Sequence, residues 1–343
     1  MKHDNNMGFL RFVGATLVIF SHSFYWFGLP EPVLFGESLG GVGLTIFFVV
    51  SGYLITKSWE SAVGAIAFFR NRLLRIIPAL VIVSIVTVFI FGPILTRLPL
   101  LEYFTTFYLW EYPLKVSSLY FWSDGAIPGV VGTINTVLWS LPVEFNCYIL
   151  VAIIGIVSTS IFRKAVPVLF LAGMMLLLMS GVASTTLNFT VIKLMTLFLA
   201  GSLCYIYSDN IKSMRHLVTF VIGVALLAIV YSIPVSIGLQ LAVYVVIAPL
   251  LVVAAAFYPS RFISSFGEHG DYSYGLYLYG WPVQMIVATR ASEYLSIGTG
   301  FVVMFATTFV FAYASWHLIE KRALKYKSPA PVSSQTYITY STT

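Results

Sequence analysis

A chain of 343 residues with 59% hydrophobic and only 9% charged side chains, and a mean hydropathy of +0.92, excludes an ordinary soluble globule, in which about a quarter of residues are charged. It points to an all-α polytopic membrane protein, for which dividing length by a typical domain size counts nothing. The formal net charge of +6 then reads as a basic cytoplasmic face that meets membrane lipids, not as a nucleic-acid surface.

The first apolar run covers residues 8–27, with Arg11 near its start and His22 well inside it. Read as a helix, eleven residues at about 1.5 Å each separate the two by roughly 16 Å, about half of a hydrocarbon core of about 30 Å. Arg11 then lies at a membrane surface and His22 near the midplane, where an ionisable side chain is costly and faces the protein interior or a wet cavity. On this reading His22 is the reactive centre, and Arg11 holds the charged part of a long ligand. The run is a retained first span and not a signal peptide, because ionisable residues interrupt it and no small-residue cleavage site follows before Pro30.

Further runs at 40–58, 75–95, 138–158, 165–182, 189–208, 215–233, 237–258, 273–290 and 299–319 predict about ten transmembrane helices in one bundle. With the N-terminus in the cytoplasm, fifteen of the nineteen Lys and Arg residues fall on the cytoplasmic side, and only Arg97, Lys115, Lys193 and Arg290 fall outside. So steep a split predicts both termini inside. A single membrane-embedded domain over 1–327 and a disordered Ser/Thr/Pro-rich cytoplasmic tail over 328–343 follow. The longest link, 96–136, is rich in Tyr, Phe and Trp and carries Glu102, Glu111 and Asp124. It reads as an interfacial aromatic belt or as a platform for sugar rings and hydroxyls. Cys147 and Cys204 fall in apolar runs as buried thiols, and no Cys/His spacing suggests a metal site.

Five stretches bear chemistry. His22 titrates near neutrality and can take a proton from a hydroxyl; the bland alternative is a polar bond to a neighbouring helix. Arg70, Arg72 and Arg75 lie at the expected cytoplasmic mouth of the third span. Their guanidinium forks suit phosphates, whether of lipids or, with Arg11, of a polyphosphorylated carrier. The small residues of 40–52 favour close helix packing, and Ser51 among them can donate a hydrogen bond into a cavity. Glu144 is the one carboxylate set firmly within a predicted span, just after Pro142; it can orient the His22 imidazole or bind acceptor hydroxyls, and the bland alternative is a structural hydrogen bond. Asp271 to Pro282 opens the ninth span with hydroxyls and rings, most of which read as packing.

Together these stretches resemble the acyltransferase-3 family of bacterial integral-membrane O-acyltransferases. The resemblance rests on Arg11 followed by His22, on Phe47 to Tyr53, on Arg70 to Pro78, on Trp139-Ser140-Leu141 with Glu144, on Ser273 to Leu278 and on Ser315 to Glu320, in that order. Many relatives have a histidine near Gly280 and a proline where this chain has Arg322. The resemblance implies an acyl-CoA donor, usually acetyl-CoA, entering from the cytoplasm, with no permanently bound cofactor, and a hydroxyl of a surface or lipid-linked glycan as acceptor. It also implies the bacterial inner membrane. Arg11, Arg70, Arg72 and Arg75 would then meet the nucleotide phosphates, with Ser51 as a further donor contact. His22 would act as general base or take the acyl group itself. The donor is cytoplasmic and the acceptor outside, so either one channel joins them or a separate periplasmic partner completes the step. The competing classes are a transporter of glycans or small solutes and a non-catalytic membrane assembly factor.

Overall fold

The computed structural model describes residues 5–106, 108–119, 127–179, 187–268 and 270–328, and each of the ten apolar runs is helical in it. The long helices among the described residues are α1 (Met7–Trp26), α2 (Leu39–Glu60), α3 (Gly64–Leu95), α4 (Thr136–Val157), α5 (Thr159–Met179), α6 (Leu187–Ile206), α7 (His216–Ser232), α8 (Ile237–Phe257), α9 (Ser273–Ala291) and α10 (Ile297–Tyr326). Eight are long and apolar enough to cross a bilayer, while α7 is shorter at 17 residues. The exception by polarity is α9, whose residues from Ser273 to Met285 are all buried. A helix surrounded by protein does not need an apolar surface, so α9 can carry Ser273, Tyr274, Tyr277 and Gln284 inward. The only strands among the described residues are the short antiparallel pair β1 (Val33–Leu34) and β2 (Glu37–Ser38), in the link between α1 and α2.

The helix α2 lies at the centre, against α1 on one side and α6 on the other, and α9 packs between α1 and α10. Small residues set these distances. A Cβ on Gly43 would stand 2.5 Å from the Gly14 carbonyl oxygen, and a Cβ on Gly52 or Gly201 would collide with the carbonyl of Phe198 or Val49. The glycines of α2 are therefore packing residues, as their spacing predicts. On the periphery, α5 and α7 expose Ile161, Val168, Leu171, Phe220, Val221 and Ile229, a surface suited to lipid tails.

The third helix departs from expectation. It starts at Gly64, eleven residues before the predicted 75. Its 32 residues reach about 48 Å at 1.5 Å per residue, well beyond a hydrocarbon core of about 30 Å. The arginine stretch is thus helical overhang and not a loop. Of the aromatic link, Tyr103 and Tyr112 turn into the protein, and the Tyr103 hydroxyl donates to the Val88 carbonyl at 2.7 Å. Phe107, Tyr120, Phe121, Trp122 and Asp124 of that link, His3, His269 and the tail from 329 onward lie outside the described residues. Cys147 and Cys204 are free and buried.

Candidate active site: two cavities on shared helices

Eleven residues are about three whole helical turns, so Arg11 and His22 project from one face of α1, some 16 Å apart. Each opens on a different cavity. The first, of about 510 Å³, is lined by Arg11, Val50, Ser51, Lys57, Arg72, Arg75, Glu144, Tyr148, Asp271, Trp316 and Lys327, among others. The second, of about 300 Å³, is lined by His22, Glu31, Glu37, Ser38, Thr136, Trp139, Lys193, Tyr277 and Trp281, among others. The basic cavity gathers the start of α1, the latter half of α2 and the start of α3; the histidine cavity gathers the opposite ends of α1 and α2 and the first turns of α4 and α6. The two cavities therefore sit towards opposite ends of the bundle.

In the basic cavity Asp271, just before α9, accepts from Arg11 Nη1 at 2.6 Å and from Arg75 Nη2 at 2.5 Å through the same oxygen. Its other oxygen takes the Ser273 hydroxyl at 2.5 Å. Burial alone would raise the Asp271 pKa, but Arg11, Arg75 and the Ser273 bonds together hold it well below the usual carboxylate range. Arg75 also reaches Glu320 at 3.5 Å, whose second oxygen accepts from Ser315 at 2.9 Å. On the facing wall Glu144 accepts from the Ser51 hydroxyl and, at 2.6 Å, from Tyr148. Arg72 has no ion pair among the described residues, and its buried Nε has no hydrogen-bond partner there. Lys327, just past α10, has its pKa lowered to about 8 by burial first and then by Arg72 and Arg75.

The structure divides the three arginines of α3. Residues three apart share a helix face, whereas residues two apart point nearly opposite ways. Arg72 and Arg75 accordingly enter the basic cavity, and Arg70 lies exposed on the outer face beside Ile66, Leu73 and Ile77. Two further expectations are corrected. His22 sits one turn before the end of α1 at Trp26 and not at the middle of the helix. Glu144 does not orient His22; its carboxylate faces Ser51, Tyr148 and the basic cavity.

His22 meets the edge of Trp281 at 5.0 Å between ring centroids, and its Nδ1 is buried with no partner among the described residues. Beside it Ser21 donates to Glu31 at 2.5 Å, and Lys193 bonds both oxygens of Glu37 at 2.6 and 2.7 Å. Between the cavities stand Phe47 and Tyr277, with ring centroids 6.0 Å apart. The Tyr277 hydroxyl donates to the Val137 carbonyl and accepts from Ser140 at 2.7 Å, and Arg11 lies 6.0 Å over the Phe47 ring.

The reading of the sequence missed Glu31, Lys57, Tyr148 and Lys327 and passed over Asp271 as packing. Only Glu31 carries a local signal: a lone acid between Pro30 and Pro32, nine residues after His22. Among the described residues no group of three or more His, Cys, Asp or Glu could hold a metal ion.

Comparison with known proteins identifies the family. A family described as "Acyltransferase domain" matches residues 4–317. An "O-acetyl transferase" of Shigella phage Sf6 is 32% identical over 349 aligned positions, covering 96% of this chain and 98% of the relative. "Nodulation protein 10" of Rhizobium leguminosarum bv. viciae is 33% identical over 159 positions, 43% of each chain. No solved structure matches. The chain belongs to the acyltransferase-3 family and is a multi-pass membrane acyltransferase of the O-acetyltransferase kind.

Proposed function

We propose that the protein moves an acetyl group from acetyl-CoA, bound in the basic cavity, to a hydroxyl of a surface or lipid-linked glycan that enters the histidine cavity. The observation that carries this reading is the placement of Arg11 and His22 on one face of α1, each opening on its own cavity. The basic end faces the cytoplasm of a bacterial inner membrane, in keeping with the fifteen-to-four split of Lys and Arg.

Arg72, Lys57 and Lys327 are the cations of the basic cavity that no described carboxylate neutralises, so they are best suited to the donor's phosphates. Arg11 and Arg75 are engaged by Asp271 and shape the cavity around them. Ser51 and Glu144 line the path by which the thioester arm leaves the mouth. The arm passes the Phe47–Tyr277 septum to bring its thioester to His22. There the imidazole accepts the proton of the acceptor hydroxyl, whose oxygen attacks the thioester carbonyl carbon. A carbon–oxygen bond forms, the carbon–sulfur bond breaks, and the imidazolium returns the proton to the thiolate. Direct transfer needs no separate partner outside, because base and acceptor meet within the bundle.

The test uses membranes carrying the wild type or His22→Ala, acetyl-labelled coenzyme A and an extract of host surface glycans. Label in glycan from the wild type alone supports the reading. Equal label from both removes His22 as the base. Flux of a solute without acyl transfer points to a transporter.

A further inference from the structure

The mechanism leaves one carboxylate of the histidine cavity unused. Glu31 lies in the link between α1 and α2, flanked by Pro30 and Pro32. Proline fixes its own φ and restricts the residue before it, so both Leu29 and Glu31 are confined to extended backbone. The link is tied down at both ends: the Leu29 amide bonds the Phe24 carbonyl at 2.9 Å, and the Leu39 amide bonds the Pro32 carbonyl at 3.0 Å. Glu31 Oε2 accepts from the hydroxyl of Ser21, the neighbour of His22, at 2.5 Å. Oε1 has no hydrogen-bond partner among the described residues, and Glu31 and His22 line the same cavity without forming an ion pair. The second acid of this cavity, Glu37, is already neutralised by Lys193. One unneutralised carboxylate therefore shares the cavity with the imidazole, on a stiff mount and held by the residue next to His22.

Resting on the acyl-transfer reading above, we propose that Glu31, and not the intramembrane Glu144, is the positioning carboxylate of His22. It supplies the negative charge that offsets the imidazolium formed when His22 takes the acceptor proton. Out of bulk solvent a fixed carboxylate acts more strongly than it would in water. Ser21 holds that carboxylate at its station. The proton moves from acceptor to His22 and on to the leaving thiolate, and Glu31 remains ionised throughout.

The experiment compares full-length wild type, Glu31→Gln, Glu31→Asp and Ser21→Ala in membranes, with labelled acetyl-CoA at varied concentration and a saturating glycan extract. Glu31→Gln is expected to lower kcat about a hundredfold, and Glu31→Asp to recover at least about tenfold of that loss. Ser21→Ala is expected to fall between wild type and Glu31→Gln. The KM for donor stays within about twofold in all of them, because Glu31 does not line the basic cavity where the donor phosphates bind. Coenzyme A binding by Glu31→Gln at wild-type affinity shows that the bundle is folded. The assignment is overturned if Glu31→Gln keeps kcat within about threefold of wild type, or if Glu31→Asp is no better than Glu31→Gln. Failure of the underlying reading is a different result: His22→Ala then transfers as well as the wild type, whatever Glu31 does.

Discussion

The two cavities are built on the same helices from opposite materials. The basic end holds Arg11, Arg72, Arg75, Lys57 and Lys327 against Asp271 and Glu144, in the larger volume of about 510 Å³. The far end holds one histidine, two carboxylates, one lysine and a wall of Trp139, Tyr277 and Trp281, in about 300 Å³. The first is suited to gripping a polyanion and the second to handling a proton beside a sugar-sized group. On the proposed reading, binding and chemistry occupy separate places joined by α1, which carries Arg11 to one cavity and His22 to the other.

The sharpest way to break that division is to remove the base. His22→Ala should lower transfer by about a thousandfold or more, with coenzyme A affinity unchanged, in a labelled-acetyl assay. Next in size, Arg75→Ala leaves Asp271 with half its cationic support and Glu320 buried without its partner. That variant should lose about 3–5 kcal/mol of stability and melt well below wild type in detergent. A finer cut separates neighbours on α3. Arg72→Ala should raise the donor KM by about tenfold or more with little change in kcat, whereas Arg70→Ala should stay within about twofold of wild type. Equal effects of the two would contradict the facing of α3. The smallest effect is one of pH. Lys327, with its pKa lowered to about 8, is charged below that pH and neutral above it. Donor affinity should therefore fall by about a few-fold as pH rises from 7 to 9, and Lys327→Arg should remove most of that fall.

Much of this fold was legible because apolar length is a local property. Each of the ten runs read is helical among the described residues, and eight of the helices are long and apolar enough to cross a bilayer. The start of α3 was not legible, since Arg70 to Arg75 interrupt the apolar signal while the backbone stays helical back to Gly64. With that start unknown, the angular separation of Arg70 from Arg72 and Arg75 could not be drawn. The clasp of Arg11 on Asp271 joins residues 260 positions apart, and no periodicity announces such a contact. Glu144 was singled out for lying inside a span, a sound reason to expect a partner; its partners proved to be Ser51 and Tyr148. Glu31 escaped notice because it lies outside every span, and only the packing of its proline-bounded link against α1 and α2 brings it to His22.

The central claim is that the basic end binds the donor and the histidine end performs the transfer. The most direct test measures coenzyme A affinity and acetyl transfer side by side for His22→Ala and Arg72→Ala, in the same detergent-solubilised full-length protein. The account predicts a crossed result: His22→Ala binds coenzyme A as the wild type does and transfers nothing, while Arg72→Ala binds weakly and recovers transfer at high donor concentration. A loss of donor binding in His22→Ala, together with undiminished donor affinity in Arg72→Ala, would contradict it.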